Sequence, residues 1–441
     1  MKIILPEKVN RIIHTLQDNG FEAYAVGGCV RDSVLGRVPD DWDITTSATP
    51  LETKALFART FDTGIEHGTI TVLIDKDAFE VTTYRVDGKY EDSRHPSEVT
   101  FTRSLQEDLL RRDFTINAMA YNDTEGLVDI FGGMNDLREK TIRCVGDARA
   151  RFGEDALRIL RAVRFAAQLG FEIEEETRNG ITKLAPTLAN ISAERIQVEL
   201  IKMLVSPNPA MLRTAYELGI TKVILPEFDA MMATTQENPH HKYSVGEHTL
   251  KAIEAIRADK VLRLAMLFHD IGKPAMKKID EKGIAHFKMH DTQGAEMTKQ
   301  ILRRLKFDND TMNKVVRLVQ YHDYRMPAEP KNVRRAMNKI GEDIFPYYLE
   351  VRMADTLAQS EYKQKEKTQN IRDVRERYEE ILERNECVSL KSLAVTGSDL
   401  IANGMKPGKE IGEVLNKLLE YVIEHPEANE KDTLLKLKRE L

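Results

Sequence analysis

The sequence predicts an α+β protein, a small N-terminal α/β head followed by a long all-α remainder, and three observations support this. Strand signals gather in the first third of the chain, apolar residues recur at helical spacing beyond about Gly146, and no internal repeat or low-complexity tract interrupts either pattern. At 441 residues the chain is long enough for several domains with separate cores.

Residues 1–20 read as a helix with Val9, Ile12, Ile13 and Leu16 on one face, stopped near Gly20. A strand follows at Ala23–Val26, and Gly27-Gly28 permits a tight turn into a short helix. Residues 41–45 read as the next strand, and 69–74 with 79–85 form a hairpin around Asp75-Lys76-Asp77 that completes a small mixed sheet. Amphipathic helices dominate from 154 to 205 and onward. A loop rich in Asn, Pro and His (236–243) introduces a helical block over 245–359, and a charged helix over 361–384 precedes a C-terminal segment containing the glycine-rich stretch 404–412.

Hydrophobic content of 41%, charged content of 31% and a single Trp fit a helix-rich globular chain. A formal net charge of −6 argues against unselective coating of nucleic acid, which depends on neutralising many phosphates. Positive charge is nevertheless concentrated locally, at Arg111-Arg112 and at Arg149, Arg151, Arg158, Arg161 and Arg164, where a nucleotide or an RNA end would sit. No apolar run approaches membrane-spanning length, and the start, from Met1 to Lys8, lacks a long apolar core and a cleavage site, so a cytoplasmic protein without membrane contact is expected. Cys29, Cys144 and Cys387 are odd in number and widely spaced, which indicates reduced thiols rather than a disulfide framework or a cysteine zinc site.

The chemistry concentrates at Asp41-Trp42-Asp43, shortly after Gly27-Gly28-Cys29-Val30-Arg31-Asp32. On a strand, residues i and i+2 share a face, so Asp41 and Asp43 are candidates to hold divalent cations jointly, and hard cations such as magnesium prefer carboxylate and phosphate oxygens. Gly27-Gly28 lets the main chain approach a phosphate, the following helix start offers free N–H groups, and Arg31 is suited to bridge phosphate oxygens. Glu80, on the opposite strand face from Phe79 and Val81, is the candidate third carboxylate, which would lower the pKa of an attacking hydroxyl. A plain turn followed by a solvated acidic loop accounts for either element alone; together they point to nucleotidyl transfer.

These blocks, with Arg111-Arg112-Asp113-Phe114-Thr115-Ile116-Asn117-Ala118, Glu154-Asp155-x-x-Arg158 and Ser192-Ala193-Glu194-Arg195, resemble the CCA-adding tRNA nucleotidyltransferase and poly(A) polymerase family, in its bacterial class with a helical body. The resemblance implies a nucleotidyltransferase head at 1–145, a helical neck and body at 146–240 with the nucleotide-selecting helix, and an elongated all-α continuation. It further implies addition of C, C and A to tRNA 3′ ends from CTP and ATP without a nucleic-acid template. In similar enzymes the residues matching Gly28 and Arg31 contact the nucleotide, those matching Asp41 and Asp43 bind magnesium, and those matching Arg112, Asp155, Arg158, Arg161 and Arg164 complete the nucleotide pocket. The stretch 87–96 matches a flexible loop that helps similar enzymes change from C to A, with Arg94 as a candidate in that switching.

A helix beginning near Glu154 would set Asp155 and Arg158 at i and i+3. Cytosine and adenine both present an amino donor beside a ring-nitrogen acceptor, which a carboxylate and a guanidinium would match, whereas uracil and guanine reverse the polarities and leave groups unpaired at roughly 1–3 kcal/mol each. An Asp155–Arg158 ion pair on a solvated helix is the plain alternative. Arg161 and Arg164 drift around the helix, toward phosphate or ribose.

A second constellation, His248, His269-Asp270, His290, His322 and Asp355, is spread over helical segments and suits a first-row transition metal. Its clearest block, His269-Asp270-Ile271-Gly272-Lys273-Pro274, resembles the HD phosphohydrolase domain, expected over 241–360. There His248, His269, Asp270 and Asp355 match the four basic ligands, and His290 and His322 match extra histidines of members with a second metal. Activity at a phosphate monoester or cyclic phosphate of a damaged RNA end is the secondary hypothesis, beside a vestigial site. Residues 361–441 resemble a tRNA-holding tail. The competing readings are a poly(A) polymerase or partial CCA enzyme on the same scaffold, a protein that is chiefly an HD metal phosphohydrolase, and a non-catalytic RNA-binding protein.

Overall fold

The computed structural model describes residues 2–88, 99–237 and 243–438. The chain divides into two compact units, Met1–Pro226 and Glu227–Leu441, each described on its own below. Arg94 and most of the expected switching loop lie outside the described residues.

The first unit is built on a seven-stranded mixed sheet, with strands in the order Thr60–Gly64, Thr69–Ile74, Asp77–Thr83, Ile44–Thr46, Ala23–Val26, Ala120–Asn122, Gly126–Val128. Helix Glu7–Asp18 starts directly after Pro6 and buries Val9, Ile12, Ile13 and Leu16, the four residues its periodicity singles out. Full burial of such side chains contributes about 1.5–3 kcal/mol each, which is why the stripe dictates the helix's orientation. The hairpin is as expected: Asp75 takes the left-handed conformation, φ 57°, between Thr69–Ile74 and Asp77–Thr83.

Two boundaries differ from the sequence expectation. The second sheet strand begins at Ile44, not at residue 41. Val26 N–H still donates to the Asp43 carbonyl at 3.0 Å, but Ala23–Val26 then turns away at Gly27, so Asp41 and Trp42 have no strand to pair with. The helix expected from Glu154 is two helices, Ala148–Glu154 and Leu157–Leu169. Asp155 is extended, φ −137° and ψ 105°, and its carboxylate accepts from Leu157 N–H at 3.0 Å, so a residue that stands at helical spacing caps the second helix and breaks the first.

The second unit is helical, with two two-residue strands pairing at Lys278–Ile279 and Ala285–His286. Helix Lys260–Phe268 is buried along nearly its whole length and ends directly at His269. The C-terminal part has its own core of Leu400, Leu418, Leu419, Val422, Ile423 and Leu434. All three cysteines are buried free thiols, and burial pushes Cys29 and Cys144 each up to about 12.

Candidate functional site

In the head, the strand Ala23–Val26 delivers the chain to Gly27 at φ 81°, and helix Gly28–Val34 starts at once. A Cβ on Gly27 would lie 3.1 Å from Nη1 of Arg112 and 3.7 Å from the Asn117 carbonyl oxygen, so both backbone conformation and close packing require glycine there. Arg31 points inward from the short helix, 9% exposed. It donates from Nη1 to Asn117 Oδ1 at 2.7 Å and from Nε and Nη2 to the Asp32 carboxylate at 2.9 and 2.8 Å.

The acidic group stands beside this turn. The parallel register that pairs Ile44 with Val81 places Asp43 next to Glu80, each one residue earlier in its segment. Neither Asp41 nor Asp43 forms an ion pair among the described residues, and partial desolvation raises the Asp43 pKa, with the charges of Asp41 and Glu80 adding and that of Arg112 opposing. Asp43 is open to solvent on one side, yet the surrounding protein and carboxylates are enough to disfavour its charge. A set of unneutralised oxygens is the donor chemistry that fits a hard divalent cation, so the residues present suit the metal that the sequence implies.

The arginines are held by a buried network. Asp108 is fully buried and accepts from Arg111 at 3.0 and 2.7 Å, from Arg112 at 3.3 Å and from Thr45 at 3.2 Å. Arg112 is thereby held between Asp108 and Gly27, with its buried Nε making no hydrogen bond. Asn117 passes from Arg31 to Asp113, donating from Nδ2 to Asp113 Oδ1 at 3.1 Å. Asp113 in turn accepts from Arg161 at 2.8 and 2.7 Å. Burial alone would raise the Asp113 carboxyl, but Arg161 and the Asn117 hydrogen bond outweigh it and hold the pKa at about 2.

Asp155 and Arg158 do not pair with each other. Arg195 donates to Asp155 Oδ2 at 2.7 Å, while Arg158 donates to Glu154 at 2.7 Å and to the Arg111 carbonyl at 2.9 Å. Arg164 is buried and bound to Glu199 at 2.8 Å and Gln168 at 2.9 Å, facing the neck. The residues that sequence reasoning left without a role are Asp108, Asp113, Asn117 and Glu199. Asp113 and Asn117 stood inside a recognised block; Asp108 and Glu199 look like ordinary helical acids, and what distinguishes them is full burial for Asp108 and a partner 35 residues away, Arg164, for Glu199.

The second unit brings all six expected metal ligands together, in two groups that share one carboxylate: His248, His269 and Asp270, then Asp270, His290 and His322. Asp355 joins the first, with its Oδ1 3.0 Å from His248 Nε2. Each imidazole contacts a backbone carbonyl through Nδ1: His248 with Ala358 at 3.3 Å, His269 with Met266 at 2.7 Å, His290 with Phe287 at 2.8 Å and His322 with Val319 at 2.6 Å. A carbonyl only accepts, so Nδ1 carries the proton and the lone pair of neutral histidine sits on Nε2. Yet Nε2 faces Nε2 at 3.2 Å between His248 and His269, and at 3.1 Å between His290 and His322. Opposed lone pairs at that distance fit either a shared proton, with Asp355 3.0 Å from His248 and Asp270 3.3 Å from His269, or a metal ion, and the carbonyl bonds are the outer support usual for metal-bound histidine. An open cavity of about 990 Å³ adjoins this cluster, lined by Lys273, His290, Tyr324, Arg325, Gln359 and Lys367 among others.

Comparison with known proteins shows the family of the chain. Residues 23–143 match the model for the poly A polymerase head domain, 170–232 match "Probable RNA and SrmB- binding site of polymerase A", and 279–437 match tRNA nucleotidyltransferase domain 2. The CCA-adding enzyme of Lactobacillus helveticus is 35% identical over 443 residues, covering 98% of this chain and 97% of that protein. That of Pediococcus pentosaceus is 34% identical over 430 residues, covering 97% and 96%. Among solved structures, the Bacillus stearothermophilus CCA-adding enzyme in complex with CTP superposes with a TM-score of 0.72 at 30% identity, covering 99% of this chain and 98% of that one. The Thermotoga maritima CCA-adding enzyme complexed with tRNA, at 21% identity and a TM-score of 0.62, shares the fold over 100% of both chains.

Proposed function

The chain belongs to the CCA-adding enzyme family of nucleotidyltransferases, and from that premise we propose that it adds C, C and A to tRNA 3′ ends from CTP and ATP without a nucleic-acid template. The observation that carries this reading is the unneutralised Asp41–Asp43 pair beside Glu80, the Gly27 turn and Arg112. On this reading 1–145 is the catalytic head, 146–240 the neck and body, 241–360 the HD-type domain and 361–441 the tRNA-holding tail. No described helix is long and apolar enough to cross a membrane, which accords with the proposed cytoplasmic site of action.

Asp41 and Asp43 would hold magnesium, which when bound neutralises charge developing on the phosphates. The N–H groups at Gly28 and the guanidinium of Arg31 would bind phosphate oxygens, and Arg112, held by Asp108, would contribute to the nucleotide pocket. The tRNA 3′ oxygen attacks the α-phosphorus, the bond to the bridging oxygen breaks, and pyrophosphate leaves. Glu80, as the third carboxylate, would lower the pKa of that hydroxyl. Asp155, held by Arg195, accepts from the amino group of C or A, and Arg158 donates to the adjacent ring nitrogen. The structural support for this pairing is that the two side chains are held by other partners instead of neutralising each other. Arg161 completes the pocket through Asp113; Arg164 supports it from the neck side.

A tRNA ending at its discriminator base, incubated with each nucleotide singly and then with both, tests the reading. CTP alone should extend the end by C residues, and CTP with ATP should stop at CCA. An open-ended A tail, or failure to use CTP, would instead point to a poly(A) polymerase or an A-adding enzyme.

A second reading of the other unit rests on the opposed Nε2 pairs: His248, His269, Asp270 and Asp355 would hold one divalent transition metal, and Asp270, His290 and His322 a second. Such metals activate water toward phosphate esters when bound. The adjoining cavity, with Lys273, Arg325 and Lys367 on its wall, has the charge to receive a phosphate. Release of phosphate from a nucleoside monophosphate or opening of a cyclic phosphate, lost in His269→Ala and retained in Asp41→Ala, would support it; no hydrolysis by the metal-loaded protein would exclude it.

A further inference from the structure

Phe165 is the aromatic residue of helix Leu157–Leu169. Its ring is 5% exposed and gathers three guanidinium groups. Arg164 lies over the ring with Cζ 3.6 Å from the centroid, Arg31 at 5.0 Å and Arg161 at 5.3 Å. Phe114 meets the ring edge to face, with centroids 5.8 Å apart and planes at 81°.

The three arginines come from different places. Arg31 belongs to the short helix after the glycine turn, Arg161 stands one helical turn before Phe165, and Arg164 reaches toward the neck. Each is bound to its own acid, Arg31 to Asp32, Arg161 to Asp113 and Arg164 to Glu199, so no carboxylate is shared among them. Arg31 and Arg161 are joined by hydrogen bonds through Asn117 and Asp113, but Arg164 lies outside that chain. The Phe165 ring is the surface that all three touch. Like charges gathered in a mostly buried site repel, and an aliphatic side chain there would fill the volume without attracting them, whereas the negative face of an aromatic ring attracts each guanidinium.

We propose that Phe165 is a positioning residue for the incoming nucleotide: its ring attracts the guanidinium groups of Arg31, on the phosphate side, and Arg161, on the base-selecting helix, gathers Arg164 with them, and together with the Asn117–Asp113 hydrogen bonds fixes their orientation, and so governs nucleotide affinity. The inference rests on the nucleotidyl-transfer reading above. It requires an aromatic ring for its charge distribution, beyond its shape. Since the arginines bind ground-state substrate, the effect falls on KM, with kcat little changed.

Replacing Phe165 by mono-, di- and trifluorinated phenylalanine keeps the size of the ring while draining its negative face. KM for CTP and for ATP should climb with each fluorine, reaching about tenfold, the scale of one desolvated cation–π contact, with kcat within about twofold and Tm unchanged. Phe165→Leu should raise KM at least as much as the trifluorinated ring, and its Tm records any loss of packing separately. A KM that stays flat across the fluorine series, or a fall in kcat at constant KM, overturns the proposal. If the unsubstituted protein incorporates no nucleotide, the function proposed above fails instead, and direct CTP binding across the same series still reads the role of the ring.

Discussion

Arg195 reaches Asp155 from helix Ala193–Leu204 with Nη2 2.7 Å from Oδ2, and so holds a carboxylate that also caps Leu157 at 3.0 Å. The aspartate proposed to select the base is therefore oriented from two sides before any nucleotide arrives. Removing the arginine leaves the carboxylate free to turn, and a charge-assisted hydrogen bond of this kind contributes about 1.5–3 kcal/mol. Arg195→Ala should lower the preference for CTP over UTP, measured as the ratio of kcat/KM values, by about 10- to 100-fold.

Gly27→Ala meets two obstacles, a φ of 81° and the Arg112 guanidinium 3.1 Å from the new Cβ. Backbone strain alone costs about 1–3 kcal/mol. Because the displaced group is an arginine proposed to line the nucleotide pocket, kcat/KM for both nucleotides should fall by about tenfold or more, alongside a lower Tm in thermal melts.

Asp43 is less willing to be charged in the folded protein than in the unfolded chain, because desolvation and its neighbours Asp41 and Glu80 disfavour the carboxylate. The folded protein therefore binds the proton more tightly, and stability declines as pH rises from the ordinary value of 3.8 through the raised one. In the absence of divalent cations, Asp43→Asn should raise Tm near neutral pH by about 1–2 °C, a small gain because the carboxylate is open to solvent. The gain should vanish in acid, where both proteins are neutral at this position, while nucleotide incorporation is lost at every pH.

Asp270 belongs to both ligand groups of the second unit, whereas each histidine belongs to one. Metal content by elemental mass spectrometry should therefore fall from two equivalents to one in His322→Ala, and to none in Asp270→Ala. Stripping the metals with a chelator should lower the melting temperature. A metal present at 100 times its Kd stabilises the folded unit by about 2.7 kcal/mol.

The fold and both constellations were legible wherever the signal is local. The Val9–Leu16 stripe, the glycine turn and the hairpin at Asp75 are short-range patterns, and the structure places them as read. Asp155 was misplaced on a helix because spacing alone does not distinguish a helical aspartate from one whose side chain caps the next helix. Likewise, the carboxylates before Ile44 look like strand residues until the neighbouring strand is seen to turn away at Gly27. The histidines and carboxylates proposed as metal ligands in the second unit were readable as residue types, but the position of Asp270 in both groups was not, since it depends on how separate helices pack. Asp108 pairs with Arg111 and Arg112 at the local i+3 and i+4 spacing, but its full burial is set by the sheet it packs against and is not announced by that spacing.

The most direct test of the central claim is to sequence the 3′ ends of a tRNA transcript lacking C, C and A after incubation with all four nucleotides in competition. The unsubstituted protein should convert these ends to CCA, with U and G essentially absent, and Asp41→Ala should leave them unextended while its Tm stays within a few degrees. Ends carrying a long A tail, or CCA ends produced equally well by Asp41→Ala, would contradict the account.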